Sequence, residues 1–302
     1  MNVTSEWDLQ LVVPLWQGGG TADVARGATR LAQMVQPGAA HEARTVSAED
    51  VTVSNANANA SDGSVADLDA VVAHLAAATA VLRQVAPRRL LTLGGDCTVD
   101  IASIAHLAAV HPQLHVLWID AHADLNTHES SPSAHAHGMP LRALLGEGHP
   151  RLVPATTLAP ERCALLGTRS MDPAESNFVQ THRVPLLSSA DLQEDPGALP
   201  ALLRRWVPPA AAVHVHLDLD VLDPRVWPAV AVPEPDGLDV PTLVAVLDAV
   251  RGHADVVGVT VTEYAPSTRH DPTTVLPVLQ ALGVPAQDPP ELSNPVGADG
   301  AA

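Results

Sequence analysis

The sequence predicts an α/β fold of three layers, with a mainly parallel central β-sheet covered by helices on both faces. Two observations carry that prediction. Short apolar runs alternate along the chain with longer stretches of helical pattern, and the short runs are apolar throughout rather than at every second position. A strand that is apolar on both sides is buried on both sides, and β-α-β alternation makes neighbouring strands parallel.

Taken in order, the β-branched and leucine-rich runs at residues 9–15, 90–93, 114–119, 164–167, 213–219 and 256–261 are expected to be buried strands. Helices are expected over residues 66–85, 101–110, 196–206 and 240–251, the last with Asp239 as its N-cap. Residues 55–64 read as a surface loop. Residues 286–302, rich in Pro, Gly and small polar residues, read as a disordered tail, which leaves residues 1–285 as one catalytic domain.

Composition narrows the function classes. A chain of 302 residues that is 46% apolar can bury a sizeable core. No apolar run approaches the roughly 18 to 20 residues of a membrane span, and the start carries Glu6 and Asp8 instead of a basic region. The expected location is therefore cytoplasmic, with no membrane partner. Cys97 and Cys163 are too few for a disulfide framework. A net charge of −18 argues against nucleic acid and anionic membranes, and leans toward cationic small molecules and metal ions.

Ligands of an open parallel sheet sit beyond the carboxyl ends of its strands, so polar residues that directly follow apolar runs are the candidates. Three such ends stand out: Leu93-Gly94-Gly95-Asp96-Cys97-Thr98, Trp118-Ile119-Asp120-Ala121-His122-Ala123-Asp124, and His216-Leu217-Asp218-Leu219-Asp220-Val221-Leu222-Asp223-Pro224. Side chains two apart on an extended segment share a face, which makes Asp120, His122 and Asp124 converge, and likewise Asp218 and Asp220. Four carboxylates at adjacent strand ends repel one another unless cations neutralise them. Oxygen-rich sets with one imidazole suit Mn²⁺, and bridging carboxylates suit two ions about 3.5 to 4 Å apart. Each Asp taken singly could equally cap a helix or order a turn.

The paired motifs resemble the ureohydrolase superfamily of arginases, agmatinases and their relatives, over roughly residues 9–280. The segment from Asp124 through Asn126, Ser133 and His137 to Gly138 is most similar to bacterial arginases. The resemblance implies an arginase/deacetylase-like fold, a pair of divalent metal ions, and hydrolysis of a small cationic guanidino substrate with release of urea. L-arginine is the first expectation. Agmatine, guanidinobutyrate or formiminoglutamate is the alternative, and a degenerate member without a competent metal pair is a third. A homo-oligomer, trimer or hexamer, is also implied.

Residue by residue, the resemblance makes Asp120 and Asp218 bridges, gives Asp124 to one ion, and gives His122 and Asp220 to the other. Cys97 stands where the family has a histidine ligand. It is either a thiolate that shifts preference toward Zn²⁺, Fe²⁺ or Co²⁺, or a protonated thiol beside a weak first site. His137 matches the family's proton-shuttling histidine and Glu263 its guanidinium-gripping glutamate. Asp172 and Glu175 fall where the substrate α-amino group is recognised, and Asn126 and Ser133 where its carboxylate is. His135 replaces the usual Asn near that end, and His128 reads as a solvated loop residue. Charge counting agrees with a cationic substrate: two divalent ions cancel four carboxylates, and a hydroxide with a guanidinium sums to zero.

Overall fold

The computed structural model describes residues 6–47, 49–51 and 64–289. Among the described residues, eight parallel strands form one sheet: β1 (Trp7–Val13), β2 (Ala40–Thr45), β3 (Leu90–Gly94), β4 (His115–Ile119), β5 (Cys163–Gly167), β6 (Leu186–Ser188), β7 (Ala212–Asp218) and β8 (Asp255–Thr262). Their spatial order is β2-β1-β3-β8-β7-β4-β5-β6. The chain leaves β3 and resumes at β4 three positions along the sheet; β8 and β7 later fill the two places between them. The ends of β3, β8, β7 and β4 therefore lie side by side, and they position the site.

Period-two alternation sends successive strand residues into two separate cores. On one face, Val213, Val215 and Leu217 of β7 join Leu117 and Ile119 of β4 beneath α1 (Asp23–Met34), α6 (Ser189–Glu194), α7 (Ala198–Trp206), α8 (Val240–His253) and α9 (Leu276–Ala281). On the other, Val116 and Trp118 of β4 pack beneath α2 (Leu68–Val85), α3 (Asp100–Val110), α4 (Pro140–Leu144) and α5 (Pro173–His182). Each core is covered because the inner strands are buried on both faces. Asp239 caps α8 as expected, its carboxylate accepting from Thr242 N at 2.8 Å.

The six expected strands all form, with ends shifted by one or two residues. The structure adds β2 and β6, the two edge strands. The sequence of β2 is polar and mostly exposed, and β6 is three residues long, so neither carries a hydrophobic run. Helix α2 corrects one expectation: it is long and apolar enough by length and composition to cross a membrane. In this fold Leu68, Val71, Leu75, Ala78 and Leu82 are buried in the core beneath it. The expected tail starts too early, because Gln36 Nε2 donates to Ala286 O and Gln287 N donates to Met34 O. From residue 290 onward that tail lies outside the described residues, as do residues 55–63 of the expected loop.

Candidate active site

The geometry begins with a close backbone approach. After β3, Gly95 N donates to Val13 O, and a Cβ at Gly95 would stand 1.9 Å from the Leu15 carbonyl oxygen, so only glycine fits. The chain then turns through Cys97–Val99, with the Asp96 carboxylate accepting from Thr98 N. Asp96 also accepts from Gly19 N, and Gly18 O accepts from His137 N. The glycine run 18–20 is thus the wall against which His137 rests.

Asp120, His122 and Asp124 do converge, though not by strand alternation. β4 ends at Ile119, and Asp124 sits at φ 52°, a left-handed conformation costing roughly 1–3 kcal/mol for a non-glycine residue. Asp120 Oδ1 accepts from His122 N at 2.7 Å, and His122 Nδ1 lies 3.0 Å from Asp220 Oδ2. Asp218 closes β7 and accepts from Asp220 N at 2.7 Å, which puts Asp220 in a turn rather than two along a strand. These Asp side chains order turns and face the cluster at once. Glu263 follows β8 at φ 63°, tied down by its N–H to Gly95 O at 2.8 Å.

Ligand-type atoms gather in three overlapping groups, each within 4.8 Å: Cys97, Asp120, Asp124 and His216; Cys97, Asp218 and Glu263; Asp120, His122 and Asp220. Burial followed by the neighbouring carboxylates lifts Asp124 and Asp218 well above the usual range, and the same causes push Asp220 up to about 6. Asp120 goes the other way: burial would raise it, but His122 and His216 outweigh that. The Cys97 thiol donates to Asp218 Oδ2 at 3.1 Å, and burial with the surrounding carboxylates raises it further. This is the electrostatics of an anion cluster that calls for cations.

A cleft of about 310 Å³ opens over the cluster. It is lined by Cys97, His122, Asp124, Asn126, Ser133, His135, His137, Asp172, Glu175, Asp218, Asp220 and Glu263, with Asp120 buried beneath. His137 Nδ1 lies 3.3 Å from Glu263 Oε1, and His135 packs edge-on to His137. Asp172 and Glu175 form the capping box of α5; Glu175 accepts from Leu125 N and Asp172 N, both at 2.8 Å. Asn126 Nδ2 donates to Asp172 at 2.7 Å. Ser133 accepts from His135 N. His128 is not simply solvated: its ring packs edge-on against His149, and its Nδ1 is buried.

The sequence profile of the arginase family matches residues 20–282. The chain belongs to the arginase family. The arginase of Bacillus caldovelox is 39% identical over 160 residues, which cover 49% of this chain and 52% of that protein. The chain thus aligns with about half the length of such relatives. The native structure of that arginase superposes with a TM-score of 0.71 at 27% identity, covering 91% of this chain and 95% of the other. The Entamoeba histolytica arginase, solved in complex with L-ornithine, shares the fold with a TM-score of 0.79 at 22% identity, covering 92% and 99% of the two chains.

Against the metal pair that the arginase family implies, the donors here fit divalent cations. The carboxyls of Asp124, Asp218 and Asp220 are raised by burial and then by their charged neighbours, and Asp124 Oδ2 and His216 Nε2 are buried without hydrogen-bond partners among the described residues. Of the residues near the cluster, His216 stands in the third strand end but was given no role by sequence reasoning. Its signal was available: it stands two before Asp218, on the same face of β7. Arg169 was given no role either. Its guanidinium donates to the carbonyls of Asp220, Glu234 and Pro235, fastening the loop that holds Glu234 3.7 Å from His122 Nε2.

Proposed function

We propose that this chain is a binuclear-metal amidinohydrolase that converts L-arginine to L-ornithine and urea. The observation that carries the reading is a single cleft in which buried carboxylates and imidazoles meet the Glu263–His137 pair. In this reading the residues that would hold two divalent ions are Cys97 and Asp124 at the first position, His122 and Asp220 at the second, and Asp120 and Asp218 at both. When bound, the ions supply the Lewis acidity that makes water nucleophilic near neutral pH. Mn²⁺ is the metal expected of so oxygen-rich a set, while Cys97 opens the first position to Zn²⁺, Fe²⁺ or Co²⁺.

The chain's own side chains do the rest. Glu263, 3% exposed at the cleft, holds the guanidinium through a charged bidentate contact. Burial works against charge on His137, but the Glu263 hydrogen bond and charge outweigh it and raise the imidazole above its ordinary value. That shift favours the protonated ring, and in this reading His137 hands a proton to the departing amine. Asp124 Oδ2, buried and without a partner, accepts a proton from the attacking water. Asp172 answers the substrate α-ammonium, with Asn126 and Ser133 answering its carboxylate. Glu175, with both oxygens on backbone N–H groups, orders the loops that carry them. Relatives named arginase, one of them with L-ornithine bound, support arginine over a decarboxylated substrate.

A second reading, another guanidino acid, is favoured by His135, an imidazole at the cleft where arginases have an amide. Metal content by elemental analysis combined with urea release from arginine, agmatine and guanidinobutyrate tests both. Two ions with fastest turnover of arginine support the first. Fastest turnover of another compound moves the substrate assignment, and no metal at saturating Mn²⁺ removes the catalytic reading altogether. A cytoplasmic homo-oligomer, trimer or hexamer, belongs to the same proposal, and light scattering tests the assembly.

A further inference from the structure

The arginase-like metal pair leaves one imbalance: residue 97 brings no imidazole to the first position. We propose that His216 supplies it, binding the first ion directly through Nε2. The inference rests on the metal pair proposed above and extends its donor set to a residue in the body of β7.

Four observations converge on that nitrogen. His216 is fully buried, and its Nε2 has no hydrogen-bond partner among the described residues, a costly state for a polar atom shut away from water. The other ring nitrogen is committed: Nδ1 lies 2.8 Å from Asp100 Oδ2. Asp100 also receives His214 Nε2 at 2.9 Å and the Thr260 hydroxyl at 2.7 Å. A carboxylate that collects these contacts only accepts, so Nδ1 carries the proton and Nε2 presents its lone pair. This is the carboxylate–imidazole arrangement that orients metal-binding histidines.

The ring is also held in place. It stacks on Trp118 with centroids 3.5 Å apart and planes 8° from parallel, and Trp118 Nε1 donates to Asp120 Oδ2 at 3.0 Å. Imidazole and bridging carboxylate are thereby positioned by the same indole. Finally, Nε2 faces the correct company. It is 3.9 Å from Asp120 Oδ2, and the donor atoms of Cys97, Asp120, Asp124 and His216 all lie within 4.8 Å of one another. Asp124 Oδ2 is the second buried atom there without a partner. Each ion then has one imidazole, His216 for the first and His122 for the second, and Cys97 is an accessory rather than the defining donor.

His216→Asn keeps an amide group near the Nδ1 position for Asp100 and deletes Nε2. Mn²⁺ binding is measured by the electron paramagnetic resonance signal of free Mn²⁺ for the parent, His216→Asn and Cys97→Ser. The parent binds two ions. His216→Asn retains one ion and weakens the other by more than the roughly 10- to 100-fold typical of losing an outer-shell partner, whereas Cys97→Ser keeps two with less than about a tenfold change. Should His216→Asn fail to fold, judged by circular dichroism without metal, pulsed resonance on a His122→Asn chain serves instead. There an Mn²⁺ ion remains coupled to one imidazole nitrogen. Two ions at parental affinity in folded His216→Asn, or no nitrogen coupling in His122→Asn, overturns the assignment of His216 while the metal pair stands. A parent chain that binds no Mn²⁺ overturns the metal pair itself.

Discussion

The two faces of β7 do different work with alternate residues of one strand. Val213, Val215 and Leu217 enter a dry core beneath α7 and α8, whereas His214, His216 and Asp218 meet Asp100, Thr260 and Cys97 on the opposite side. The apolar face gains stability from burial, about 25 cal/mol per Å². The polar face spends stability on holding charges out of water, and what it gains is a fixed donor set. A one-residue slip in register would exchange the two faces.

The comparison breaks most visibly at Asp218. Asp218→Asn removes the carboxylate proposed to serve both ions, and both ions and at least about 10⁴ of kcat/KM should go with it. The metal-free variant should be no less stable than the metal-free parent, because one buried repelling charge has gone. A lowered metal-free Tm would show that Asp218 serves the core instead.

Glu263→Gln comes next, with an expected loss of about 10² to 10³ in kcat/KM and metal content unchanged, since the amide keeps the shape but not the charge proposed to meet a guanidinium. Activity close to parental would place guanidinium recognition elsewhere.

Leu217 sits beside His216 and points the other way, fully buried. Leu217→Ala should cost about 2–4 kcal/mol of stability by denaturant titration, with two ions still bound. Loss of an ion from this variant would mean the two faces are not independent.

The mildest test is pH. Burial, followed by Glu263 for Asp96 and by Asp120 for Asp220, raises both carboxyls to about 6 in the folded metal-free chain, against about 3.9 unfolded. Their stabilising contribution is present at low pH and is lost as pH rises through 6. In chelator, Tm should fall by a few degrees from about pH 5 to about pH 7.5, and saturating Mn²⁺ should remove that fall. A chelated Tm that rises over the same interval would contradict the repulsion on which the polar face is read.

Much of this was written in local sequence. Period and composition determined the six inner strands, four of the helices (α2, α3, α7 and α8), and the strand ends at which Asp96, Asp120, Asp218 and Glu263 stand. Burial on both faces leaves a continuous apolar run, which is a local signal. The edge strands β2 and β6 lack it because an edge need not be apolar, and their pairing is decided by neighbours distant in sequence.

In the site, the spacing of Asp120, His122 and Asp124 announced convergence, but the left-handed turn at Asp124 and the turn at Asp220 achieve it. Only tertiary structure decided that Glu175 spends its oxygens on backbone amides, that glycines 18–20 wall in His137, and that His216 ends with one nitrogen on Asp100 and the other free. The reason is physical. Which atoms lack a partner is a property of everything packed around them, and Asp100, Trp118 and Thr260 reach His216 from three other elements of the fold.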